Sequence, residues 1–130
     1  MNEAMKRATK ESLLARAQAN RESKTKYVEY SCQELGETIM IKKLPLERVC
    51  SMLDMADGST AREGLEFNKD LIYEHVPLFQ DRELQEACGC NEPHDVVTAI
   101  LDENMGEIDR MAKAIMSMYG LAEAAEDIKN

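Results

Sequence analysis

The chain has 130 residues, enough for one compact domain with an arm or a tail and for a core that needs neither disulfide nor metal. Its net charge of −9 argues against nucleic acid as a main partner, because phosphate binding needs a surplus of Lys and Arg. No apolar run approaches the ~20 residues that span a bilayer, and the N-terminus lacks the apolar segment of a secretory signal. A cytoplasmic protein with no membrane association is expected, with reduced thiols at Cys32, Cys50, Cys88 and Cys90.

The charge is unevenly placed. Residues 1–26 hold seven Lys/Arg against three Asp/Glu, and the rest holds nine against twenty-two, so a basic arm precedes an acidic body. Residues 2–19 are rich in Ala, Leu, Lys, Arg and Glu and predict a helix. Its apolar stripe, Met5, Leu13 and Ala17, is thin, so this helix is expected to be exposed. The run from Asn20 to Lys26 has no apolar residue and reads as a linker.

The pattern then changes to period two. Tyr27–Cys32 and Glu37–Lys42 alternate and carry β-branched or aromatic residues, so both predict strands. Gln33–Gly36 lies between them, with a Gly free to take a positive φ, and the unit reads as a β-hairpin.

From Pro45 onward the chain reads helical. Leu46, Val49, Cys50, Leu53 and Ala56 form one apolar face, and Asp57-Gly58 ends that helix. Thr60-Ala-Arg-Glu63 is a capping box for the next helix, whose inward residues are Leu65, Phe67, Leu71, Ile72 and Val76. Pro77 stops it. A short helix near Asp81–Cys88 ends at Gly89. Asn91-Glu-Pro93 starts another, with Val96, Val97, Ile100 and Leu101 inward. Asn104-Met-Gly106 is a predicted turn. Ile108, Met111, Ala112, Ile115 and Met118 form a last long stripe, closed by Gly120. Leu121, Ala124, Ala125 and Ile128 predict a final amphipathic turn. The fold class is thus mainly α with a small N-terminal β-hairpin: a helical domain over 27–130, preceded by an exposed basic arm and linker over 1–26.

Chemistry is sparse. Cys88-Gly-Cys90 with His94 brings two thiols and an imidazole close in sequence, donors that zinc favours. The spacing departs from the paired Cys motifs of structural zinc sites, so small apolar packing of Cys88 is the preferred reading and no metal or cofactor is expected. A Cys–His nucleophile lacks a Gly-rich elbow or a positioned base, and no EF-hand, Walker or dinucleotide motif is present, so the chain is read as a non-enzyme. Nine Met and no Trp suit a core or surface that repacks. Met111 and Met118 fall on the last stripe, where core packing is the preferred reading, and Met116 falls off it. With the C-terminal tail they nominate a partner-binding surface of Met111, Ile115, Met116, Met118, Leu121 and Ile128.

The order of these elements carries a resemblance. It lies in Glu34-Leu-Gly-Glu-Thr-Ile-Met-Ile-Lys-Lys-Leu-Pro45, then Asp81-Arg-Glu-Leu-Gln-Glu-Ala-Cys-Gly-Cys90 and Pro93-His-Asp-Val-Val97. A turn with Met-Gly-Glu107 and a helix ending Met-Tyr-Gly-Leu121 complete it. Over roughly residues 27–122 this resembles the XkdN-like phage tail assembly chaperones of Gram-positive phages and prophages. The resemblance implies a cytoplasmic protein of the bacterial host that binds the long apolar tape measure protein until tail tube subunits replace it. Partners would then be the tape measure protein and the tail tube protein. Apart from the resemblance, the basic arm reads first as a solvated terminus, with docking on the acidic body of another copy as the functional alternative. The competing readings are a small zinc- or thiol-dependent regulatory module built on Cys88, Cys90 and His94, and an unrelated acidic helical adaptor or chaperone.

Overall fold

The computed structural model describes residues 5–22, 26–56, 58–121 and 128–129. Helix α1 spans Lys10–Glu22, so it starts later than residue 2 and runs into the expected linker. Its start is set by a reciprocal cap. The Thr9 N–H donates to Ser12 Oγ at 2.9 Å, and the Ser12 N–H donates to Thr9 Oγ1 at 3.1 Å. No residue of α1 is buried, as its thin stripe predicts.

Strands β1, Tyr27–Cys32, and β2, Glu37–Lys42, pair antiparallel with Tyr27 opposite Lys42 and Cys32 opposite Glu37. Gly36 takes φ +66°, and its N–H donates to the Cys32 carbonyl at 2.9 Å, which closes the turn. Tyr30, Cys32, Ile39 and Ile41 are buried, the face that period two selects. A third strand, β3, Ile128–Lys129, pairs antiparallel with the other edge of β1, so the sheet order is β2-β1-β3. This corrects the predicted C-terminal helical turn at Ile128. The open edge of β1 offers unpaired backbone groups, and extended backbone satisfies them where a helical turn would not. Residues 122–127 of that prediction lie outside the described residues.

Helix α2 spans Leu46–Met55, with Pro45 at the N-cap position and extended. Its predicted inward face is only partly inward. Val49 is buried, and Met52 and Leu53 are half-buried, while Leu46, Cys50 and Ala56 are exposed. The helix meets the body along one line, against α3, so a narrow stripe suffices. An ion pair from Arg48 to Glu74 fastens the outer side.

Helix α3, Ala61–His75, is the hub. Thr60 Oγ1 accepts the Glu63 N–H at 3.1 Å, as the capping motif predicts. Leu71 and Ile72 are buried, as is Val76 just beyond the helix. Pro77 opens a 3-10 turn, Pro77–Gln80, that buries Phe79. Helix α4, Arg82–Ala87, is capped by Asp81 and closed by Gly89 at φ +68°. A second 3-10 turn, Pro93–Asp95, leads into α5, Val96–Ile100.

Helix α6 spans Met105–Ser117. The turn before it is Leu101–Glu103, not Asn104–Gly106. Asp102 and Glu103 take φ +52° and +56°, a conformation local pattern does not predict for residues with a Cβ. Asn104 is the N-cap of α6, and its Oδ1 accepts the Glu107 N–H at 3.1 Å. Helix α3 packs on α6, α5 and both 3-10 turns, while β1 packs on α6 and β2 on the first 3-10 turn. The hairpin and the helices therefore share one core.

Candidate functional site

Two features stand out, one sealed and one open. The sealed feature joins the hairpin to α6. Glu107 is fully buried. Its Oε2 accepts the Tyr30 hydroxyl, and its Oε1 accepts the Glu34 N–H at 2.8 Å and faces Arg110 Nη2 at 2.9 Å. Burial pushes its carboxyl up, and the hydrogen bonds from Tyr30, Glu34 and Arg110 outweigh that and hold it below the usual carboxylate range. Burial, reinforced by the bond to Glu107, raises Tyr30 far above an ordinary phenol. Every strong partner is present, so the cluster is an architectural clamp rather than a poised acid or base.

A second buried chain runs from α3 to the end of α6. His75 Nδ1 lies 2.8 Å from the Leu71 carbonyl, which only accepts, so Nδ1 carries the proton. His75 Nε2 therefore accepts the Tyr119 hydroxyl at 2.7 Å, and the Tyr119 oxygen accepts the Leu44 N–H at 2.8 Å. Burial lowers the His75 pKa and keeps the ring neutral.

The open feature is a groove of about 390 Å³ between α2 and α3. Its apolar lining, called its floor below, is Met52, Met55, Ala56 and Phe67. Met55 is 87% exposed and Phe67 half-buried, so apolar surface faces solvent here. Arg62, Glu63, Glu66 and Asp70 form the rim, three carboxylates against one cation. Burial, then Glu66 and Glu74, push the Asp70 carboxyl up against the pull of His94 and Lys69. Beyond the rim, Lys69 is almost fully covered and binds Asp95 Oδ1 at 2.8 Å and Glu66 Oε1 at 3.4 Å. Burial would lower Lys69, but Asp95 and Glu66 win and raise it. Flexible thioethers and a ring on the floor, with charge at the edge, suit an apolar helix with basic flanks.

The structure divides the nominated residues. Met111 and Ile115 are fully buried against the core and present no surface to a partner. Met116, placed off the stripe by spacing, is half-buried and packs on that core, as does Met118. Both inner sides of α6, toward α3 and toward β1, are occupied, which leaves Leu121 as the exposed member of the set. The side chain of Ile128 lies outside the described residues. Sequence reading missed Met52 and Met55. Their spacing of three beside Ala56 was the available signal, but a half-exposed Met pair reads like any helix edge.

Cys88, Cys90 and His94 do not converge. The two thiols line a small polar pocket with Thr98, Asp102 and Glu103. His94 instead turns toward α3, with Nε2 at 3.3 Å from Glu66 and Nδ1 at 3.6 Å from Asp70. Cys32 is buried and Cys50 lies exposed on α2. Among the described residues no group of three His, Cys, Asp or Glu is arranged to hold a metal ion. Burial, with Cys88 beside it, raises the Cys90 thiol and makes its thiolate scarcer. Among the described residues no helix is long and apolar enough to cross a membrane. The chain matches no family model, no curated protein and no solved structure.

Proposed function

We propose that this chain holds another protein, and that it acts as a phage tail assembly chaperone for the tape measure protein. The observation that supports this reading most is the open groove between α2 and α3, with its Met floor and acidic rim. An amphipathic helix of the client lays its apolar side on Met52, Met55 and Phe67, and basic residues beside that stripe meet Glu63, Glu66 and Asp70. Met side chains adapt to many sequences, which a chaperone of a long repetitive helix needs. The acidic body then keeps the loaded complex soluble. Tail tube subunits release the client by covering the same apolar stripe. The order of hairpin, helices and turns described above adds the family resemblance to this reading.

Co-expression with a segment of the tape measure protein from the same phage genome tests it. The segment is expected to stay soluble and to co-purify with the chain, and Met55→Glu is expected to abolish both. A segment that precipitates equally with and without the chain would overturn the proposal. So would a gene neighbourhood with no tail genes.

A further inference from the structure

Helix α1 leaves an unused surface of defined pattern. Lys10, Leu13, Leu14, Ala17 and Arg21 fall at helical positions i, i+3, i+4, i+7 and i+11, on one stripe. Leu13 and Leu14 are 59% and 58% exposed, so the centre of the stripe is open apolar surface. A cation stands at each end, about 16 Å apart along the axis. The groove on the body is the inverse of this pattern. It has an apolar floor and a rim where Glu63, Glu66 and Asp70 follow one another over about 10 Å of α3. The charge split points the same way, since the arm region is net positive and the rest of the chain strongly negative.

We propose that α1 of a second copy docks in the α2/α3 groove, so that two chains exchange their basic arms. Leu13 and Leu14 rest on Met52 and Met55, while Lys10 and Arg21 reach the acidic rim. Each chain offers one arm and one groove, so a pair related by a two-fold axis uses both and closes. In the single chain α1 buries nothing and the groove stays open, which is what an exchange partner requires. The exchange uses the same groove as the holding role, and the client must then displace the arm.

The test is the solution mass of the full-length chain alone, by sedimentation equilibrium over a wide range of concentration. A mass twice 14.7 kDa is expected at the upper end, weakened by added salt. The double substitution Leu13→Glu, Leu14→Glu in the arm, and Met55→Glu in the groove, are each expected to abolish the dimer. All three positions are exposed, and circular dichroism checks that both variants remain folded. Mixing the two variants restores one intact arm and one intact groove, so a heterodimer is expected. A monomer at every concentration overturns the proposal, whether α1 stays free or folds onto its own groove. A dimer that persists in either variant, or a mixture that stays monomeric, overturns it too. No client is present in this measurement, so its failure leaves the holding role standing. The arm variant is expected to keep binding client, which separates the two readings in the other direction.

Discussion

Helices α6 and α2 both carry methionine, and they use it in opposite ways. Met111 of α6 is fully buried in the core, while Met55 of α2 is 87% exposed and lines a groove. Helix α6 is held from two sides and from its N-terminus, where Glu107 bonds to Tyr30 and Glu34 of the hairpin. Helix α2 is held along one line against α3. The difference teaches that methionine content says little about where a partner binds. The number of neighbours a helix must satisfy decides whether its thioethers become core or surface.

The strongest way to break this comparison is to remove the clamp on α6. Glu107→Ala leaves the buried Tyr30 hydroxyl and the part-buried Glu34 N–H without their acceptor, and a loss of about 3 kcal/mol is expected. Urea denaturation monitored by circular dichroism measures it, and a loss under about 1 kcal/mol, the size of an ordinary exposed hydrogen bond, would refute the clamp. Next comes the methionine pair itself. Met111→Ala opens a cavity in the core and is expected to cost about 3 kcal/mol. Met55→Ala is expected to change stability by less than about 0.5 kcal/mol. Equal effects would erase the distinction between the two helices.

The smallest expected effect is that of pH. His75 is buried with a lowered pKa, so the unfolded chain takes up its proton first as pH falls below about 6.5. The stability that neutral His75 contributes is present above that value and is lost as pH falls toward its folded pKa. Glu107 and Asp95 also have lowered values, so their contributions are lost in turn at more acid pH, starting near 4. Asp70, with a raised value, acts in the opposite sense. Thermal melts between about pH 8 and about pH 2 are expected to show two stages of loss. His75→Gln is expected to remove the first stage. A melting temperature that stays flat through that stage would count against a neutral His75 in the core.

Much of this fold is legible in single residues. Gly36 and Gly89 both take the positive φ that their turns require, and Thr60 caps where its spacing says it should. The period-two strands and the stripes of α3, α5 and α6 point at the observed core. These signals are local. A cap or a turn is completed by hydrogen bonds within about four residues, and a stripe needs only the helical repeat.

What sequence alone left open depends on contacts far apart in the chain. Glu107 reads as one more surface carboxylate until Tyr30 and Glu34, more than seventy residues earlier, enclose it. His94 reads as a companion of Cys88 and Cys90 until α3 presents Glu66 and Asp70 to it. The left-handed turn at Asp102 and Glu103 is imposed by the joint between α5 and α6, not by those residue types. The α2 groove exists because α2 packs mainly on α3, whereas α6 packs on both α3 and β1. The sequence by itself thus determined a hairpin, a set of capped helices and a basic arm on an acidic body. Only tertiary packing decided which polar groups are sealed and which apolar side chains stay open, because burial depends on partners that local pattern does not contain.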